Sequence, residues 1–183
     1  PLPSDKQNNT NRNPNRHVIK KPIPQQSPLM QKLYFGAYVY LTGYGSPYGS
    51  VIYYEFSPHV GYKFNDKLSA GVQILYNNAI LTGGGSSISY DIIGGGVFAR
   101  FLPISFLFVQ VEYDILTVPS NYLGNKVVKR SYSGEKIAGL AFRRPIGDKS
   151  SYYIMLMYDF NPEINSPYFY SPLIYRIGFS YNF

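Results

Sequence analysis

Two histidines, His17 and His59, are the chain's only imidazoles, and it contains no cysteine. A disulfide framework, a thiolate metal site and a cysteine nucleophile are therefore excluded. The histidines stand too far apart to share a metal by any ordinary ligand spacing. A Ser-His-Asp hydrolase would need His59 beside Ser57 or Ser69 and a carboxylate, with the imidazole taking the serine proton. The glycine groups at 43–45 and 83–85 lack the strand-to-helix setting that makes a phosphate cradle, and glycine there suits turns. The remaining chemistry is ionic. Glu55, Lys63, Glu112, Asp114, Arg143, Asp159 and Arg176 recur inside stretches that are otherwise apolar on alternate positions. Charges in such a setting must pair, because an unpaired buried ion is severely destabilising. Arg176 is expected to pair with Glu112 or Glu55.

Those stretches fix what must hold the seven residues. From residue 31 the apolar pattern has period two, the period of a β-strand. Eight strands are expected, at 31–42, 50–64, 68–76, 88–101, 105–116, 136–143, 151–160 and 172–183. One face of the second carries Ile52, Tyr54, Phe56, Val60, Tyr62 and Phe64; the other carries Tyr53, Glu55, Ser57, His59 and Lys63. The strand at 88–101 is ambiguous. Asp91 and Arg100 have opposite parity, and a bulge in the run Gly94, Gly95, Gly96 would turn both inward. Connectors at 65–67, 102–104 and 144–150 are short. Those at 43–49, 77–87, 117–135 and 161–171 are mostly longer. Short turns at one end and long loops at the other is the layout of a transmembrane β-barrel.

Composition agrees with this reading. Charged residues make up 15% of 183, below the roughly 25% of an average soluble domain, while Tyr numbers 20 and Phe 12. No run of about 18 apolar residues forms a membrane helix. Aromatic residues gather near the strand ends, where rings with polar tips favour a membrane interface. The fold expected is all-β: an eight-stranded antiparallel up-and-down transmembrane barrel over 31–183, preceded by an extended tail over 1–30. Residues 1–32 hold Lys6, Arg12, Arg16, Lys20, Lys21 and Lys32 against Asp5 alone, and six prolines. Such a segment buries too little apolar surface to order itself. Most of the net charge of +7 sits there. A chain that starts without Met or leader reads as a mature exported protein.

The last residues, Y-R-I-G-F-S-Y-N-F, resemble the C-terminal assembly signal of bacterial outer-membrane barrels. Tyr175, Ile177, Phe179 and Tyr181 alternate and Phe183 ends the chain. The resemblance implies recognition by barrel-assembly machinery. The stretch from Phe35 to Phe183 is similar to small outer-membrane barrels of Bacteroidetes, on F-S-P-H-V-G-Y-K-F-N-D-K-L-S-A-G-V, the glycine triplet, F-L-P-I and the final strand. It implies an outer-membrane location with both termini in the periplasm, and it brings no activity or cofactor to transfer.

The function expected is therefore non-catalytic: a structural or accessory subunit of a larger outer-membrane complex for uptake, secretion or barrel assembly, its tail docking to a protein partner. A narrow channel or small-ligand barrel is the alternative. A lipid-modifying or proteolytic enzyme is a third. Arg12, Arg16, Lys20, Lys21, Lys126, Lys129 and Arg130 are candidates for contacting that partner or lipopolysaccharide phosphates. No nucleic-acid partner is expected.

Overall fold

A computed structural model of the protein describes residues 27–123, 126–162 and 171–183, with only the backbone at 121–123 and 126–128. Arg12, Arg16, Lys20 and Lys21 lie outside the described residues, as does most of the expected tail.

A single 3-10 turn, Met30–Lys32, leads into eight strands. They are β1 (Leu33–Ser46), β2 (Gly49–Lys63), β3 (Leu68–Gly83), β4 (Ser86–Ile104), β5 (Leu107–Leu123), β6 (Lys126–Ile146), β7 (Ser150–Asp159) and β8 (Leu173–Asn182). Each pairs antiparallel with the next, and β8 pairs with β1, closing the barrel. The all-β, eight-stranded up-and-down architecture is thus the observed one. A walk along directly paired residues starts at Leu33, passes Tyr62, Ala70, Ala99, Val111, Ala138 and Tyr158, and ends at Leu173. Leu173 is the end of β8 that does not meet β1. That stagger is the register shift a closed, tilted sheet requires.

The turns follow from local chemistry. Between β2 and β3, the Asn65 side chain accepts bonds from the amides of Lys67 and Leu68, at 2.9 and 2.8 Å. This is the loop-stapling role of asparagine. Between β3 and β4 the reversal is made by Gly84 and Gly85 alone, at φ 57° and 78°. A two-residue turn with both φ positive matches the strand twist and favours glycine.

Two of the expected long loops, 77–87 and 117–135, are largely strand among the described residues, and most of the one expected at 161–171 lies outside those residues. Residues 77–83 with 86–87 extend β3 and β4, and 117–123 with 126–135 extend β5 and β6, as paired arms. Alternation was hidden there because Asn, Ser and Thr replace the apolar partner once an arm no longer needs an apolar face. The result is a wall of uneven height, with β6 at 21 residues and β7 and β8 at 10 each.

Period two sorts the side chains. Val39, Val60, Val72, Val97, Leu140 and Ile177 face outward and are exposed, in an apolar belt around the barrel. Aromatic rings edge it. At the short-turn end Phe35 touches Tyr181 and Phe183, each at 5.5 Å between centroids, and Tyr62 meets Phe64 at 5.4 Å. At the other end stand Tyr54, Tyr76, Tyr113, Tyr175 and the pair Tyr158 and Phe160.

Inside, large residues lie across glycine. Tyr34 faces Gly61, His59 faces Gly36, and Phe98 faces Gly71. Asp114 faces Gly96, Met157 faces Gly139, and Tyr153 faces Gly178. A Cβ at any of these glycines would collide with the partner opposite. An eight-stranded bore is just wide enough for side chains to fill. Here the filling is achieved by setting each bulky group over a neighbour that has none.

Candidate functional site

The interior is the place where titratable side chains meet. At mid-depth, β8 turns Arg176 inward, fully buried. Its Nε lies 2.9 Å from Oε1 of Glu55 on β2, and its Nη1 lies 2.7 Å from Oε2 of Glu112 on β5. Both carboxylates considered for Arg176 in the sequence therefore bond to it. Further donors complete them. Ser57 Oγ donates to Glu55 at 2.8 Å, and Gln73 Nε2 donates to Glu112 at 3.1 Å and to Asp114 at 2.7 Å. Gln110 also donates to Glu112. Buried carboxylates need such bonds to hold their charge.

Toward the short-turn end the bore becomes an aromatic cage around a second cation. Arg100 donates from Nε to Gln110 at 2.8 Å and from Nη2 to the Tyr38 hydroxyl at 2.8 Å. Its guanidinium lies 4.3 Å from the Phe108 ring centre and 5.3–5.4 Å from Tyr34, Phe98 and Tyr153. Stacking on ring faces stabilises a cation held away from water. His59 belongs to this cage. It stacks on Tyr38 at 4.2 Å, and its Nε2 is 3.3 Å from the Tyr153 hydroxyl. The serines considered as its nucleophiles bond elsewhere: Ser57 to Glu55, and Ser69 to Tyr34 at 3.1 Å. Among the described residues no group of three or more His, Asp or Glu is placed to hold a metal ion.

All seven ionic residues named from the sequence face the interior, but they do not form one network. Lys63 and Arg143 stand at the short-turn mouth, where Arg143 Nε donates to Ser151 Oγ at 2.9 Å. Asp159 lies toward the opposite end and accepts from the Asn161 amide at 3.0 Å. The sequence leaves Arg100 unsettled and does not single out Glu135. Arg100 was obscured by the unsettled register of 88–101, and Glu135 by reading 117–135 as a loop. Both are buried. Parity alone, carried from Ile137 back through Glu135 to Ser133, would have found the latter.

With these two added, the bore is polarised. Toward the mouth its inward ions are Lys63, Arg100 and Arg143. From mid-depth outward they are Glu55, Glu112, Asp114, Glu135 and Asp159, with Arg176 the cation among them.

The bulge considered for 88–101 is not made. β3 and β4 stay in continuous register from Leu68 with Phe101 to Gly83 with Ser86. Arg100 therefore faces in and Asp91 faces out. Outside, Asp91 accepts from the Tyr76 hydroxyl at 2.7 Å and from Asn78 at 2.8 Å. Arg130, considered as a loop cation, sits on β6 and donates to the Asp91 carbonyl at 2.7 Å and the Thr117 carbonyl at 3.3 Å. Lys129 is exposed on the same strand, and the side chain of Lys126 is outside the described residues. In the terminal strand Tyr175, Ile177 and Phe179 are exposed on the outer wall, and Tyr181 and Phe183 pack with Phe35. No protein-family model matches the chain, and no curated protein is significantly similar to it.

Proposed function

We propose that this chain is a small outer-membrane barrel of a Gram-negative bacterium, of the Bacteroidetes kind, that acts as a sealed, non-catalytic accessory subunit of a larger membrane complex. The observation that carries the reading is the pairing of an apolar, aromatic-edged outer belt with a bore packed with buried side chains at and below mid-depth. A transmembrane barrel of this size presents an apolar band about 25 Å tall with ring girdles, and the outward residues of β1 to β8 supply both. The bore is closed at mid-depth by Arg176 between Glu55 and Glu112, and below by the cage around Arg100. The side chains of both groups are buried, which supports a sealed bore. The start of β1 and the end of the chain meet beside the short turns, where Phe183 N bonds to Leu33 O at 3.4 Å, and in this reading that end faces the periplasm. From there the basic segment 1–30 reaches a protein partner. Tyr175, Ile177, Phe179, Tyr181 and Phe183 serve the assembly machinery during biogenesis.

The test is affinity purification of the tagged full chain from solubilised membranes. A stoichiometric partner is expected, and its loss on deleting residues 1–30. Recovery of a lone monomer both with and without the tail would remove the accessory role.

A further inference from the structure

We propose that the short-turn mouth of the barrel is a receptor for a phosphate group. A cavity of about 150 Å3 opens there, and its walls carry Lys63, Lys67, Arg100 and Arg143 against one carboxylate, Asp66. Four cations less one anion leave a net of +3. None of Lys63, Arg100 or Arg143 forms an ion pair within 4 Å among the described residues; Glu55 and Glu112 are taken up at mid-depth by Arg176. Arg100 donates to Gln110 and Tyr38, both of them uncharged. Arg100 is only 6% exposed. A guanidinium so enclosed, with two further cations beside it, is a concentration of positive charge that Asp66, the one carboxylate of the cavity wall, offsets only in part.

The strain shows at the rim. Burial, and then the neighbouring Arg143, hold the Lys63 amine below its ordinary range, with Asp66 opposing them only in part. An anion entering the cavity relieves all of these repulsions at once. Tyr34, Ser69 and Asn182 line the same cavity as polar neutral groups, Tyr34 and Ser69 bonded to each other at 3.1 Å and Asn182 donating to the Lys149 carbonyl at 2.9 Å. The charge selects the ligand class. A carboxylate brings one negative charge and two oxygens. A phosphate monoester brings close to two charges and three acceptor oxygens, and arginine meets those with paired N–H groups. Access is from the mouth alone, because the far half of the bore carries carboxylates that repel an anion. The chemistry is shared by two sources, free inorganic phosphate and a phosphomonoester headgroup at a membrane surface.

The experiment uses the full chain purified in a non-ionic detergent. Inorganic phosphate is titrated into it by calorimetry, and nanodiscs containing phosphatidic acid or phosphatidylcholine are compared for retention of the chain's native fold on heating. Binding is expected to weaken at least tenfold in Lys63→Gln/Arg143→Gln and to stay unchanged in Lys136→Gln, an exposed cation outside the cavity. If the double variant does not fold, as read by the mobility difference between boiled and unboiled samples, Arg143→Gln alone is expected to weaken binding at least threefold. Binding of inorganic phosphate assigns the site to the free anion. Stabilisation by phosphatidic acid alone, lost in the same variants, assigns it to a headgroup. Absence of both in the wild type, or equal binding in wild type and variants, overturns the proposal.

Discussion

Arg176 shows how much one residue can hold. Its removal leaves Glu55 and Glu112 desolvated with no counter-charge between them. Arg176→Ala is expected to lower unfolding stability by about 3–5 kcal/mol, read as a shift in the urea midpoint followed by tyrosine fluorescence. Arg176→Met combined with Glu55→Gln and Glu112→Gln should recover most of that loss, since no charge then remains uncompensated. On the outer wall the sign of a pH effect is set by Asp91. The Tyr76 hydroxyl first, and then Asn78, hold its carboxyl below the usual range. A carboxyl depressed in the folded state adds stability above its unfolded value, near 3.9, and that stability is lost as pH falls through the folded value. Comparing urea midpoints at pH 7 and pH 3, the wild type should lose more than Asp91→Asn does. Gly178→Ala tests the packing of the bore. The new methyl meets the Tyr153 ring, and overpacking of this kind typically costs about 1–3 kcal/mol.

Among elements, the arms of β5 and β6 beyond the belt are the separable part. Pairs from Leu107 with Phe142 to Thr117 with Tyr132 close the belt without them. Replacing residues 120–129 by a two-residue Asn-Gly turn, which suits a hairpin, should leave a barrel that still shows the mobility difference on boiling. Loss of that difference would mean the arms are needed for closure. These arms also mark where the sequence stopped being legible. Strand number, direction and facing were readable because one face of each strand is apolar, so a slip of one residue would expose the whole set. The arms need no such face, and Ser, Thr, Asn and Gly there look like loop. The register of 88–101 was hidden for a related reason. Three glycines carry no facing information, and only pairing with Gln73, Ile74 and Leu75 shows that the strand runs straight. The inward residues Glu55, Glu112 and Arg176 were legible by parity. Which of them meet was not, because contact across a bore depends on stagger around all eight strands.

For the whole molecule, filling of the bore sets the outcome of a transport measurement. In planar bilayers the wild type is expected to show no discrete conductance steps, and steady steps at moderate voltage would return it to the channel class. The polarity of the bore gives the barrel a fixed direction, cations at the mouth beside Leu33 and Phe183 and carboxylates beyond mid-depth. The facing pairs of bulky residue and glycine carry a further implication, for descent rather than for energy. Tyr34 with Gly61, or Tyr153 with Gly178, cannot drift one member at a time: enlarging the glycine blocks its partner, and shrinking the partner opens a void. Each such pair is inherited as a single character written in two places. Across lineages the two positions of a pair should exchange sizes together or stay fixed together.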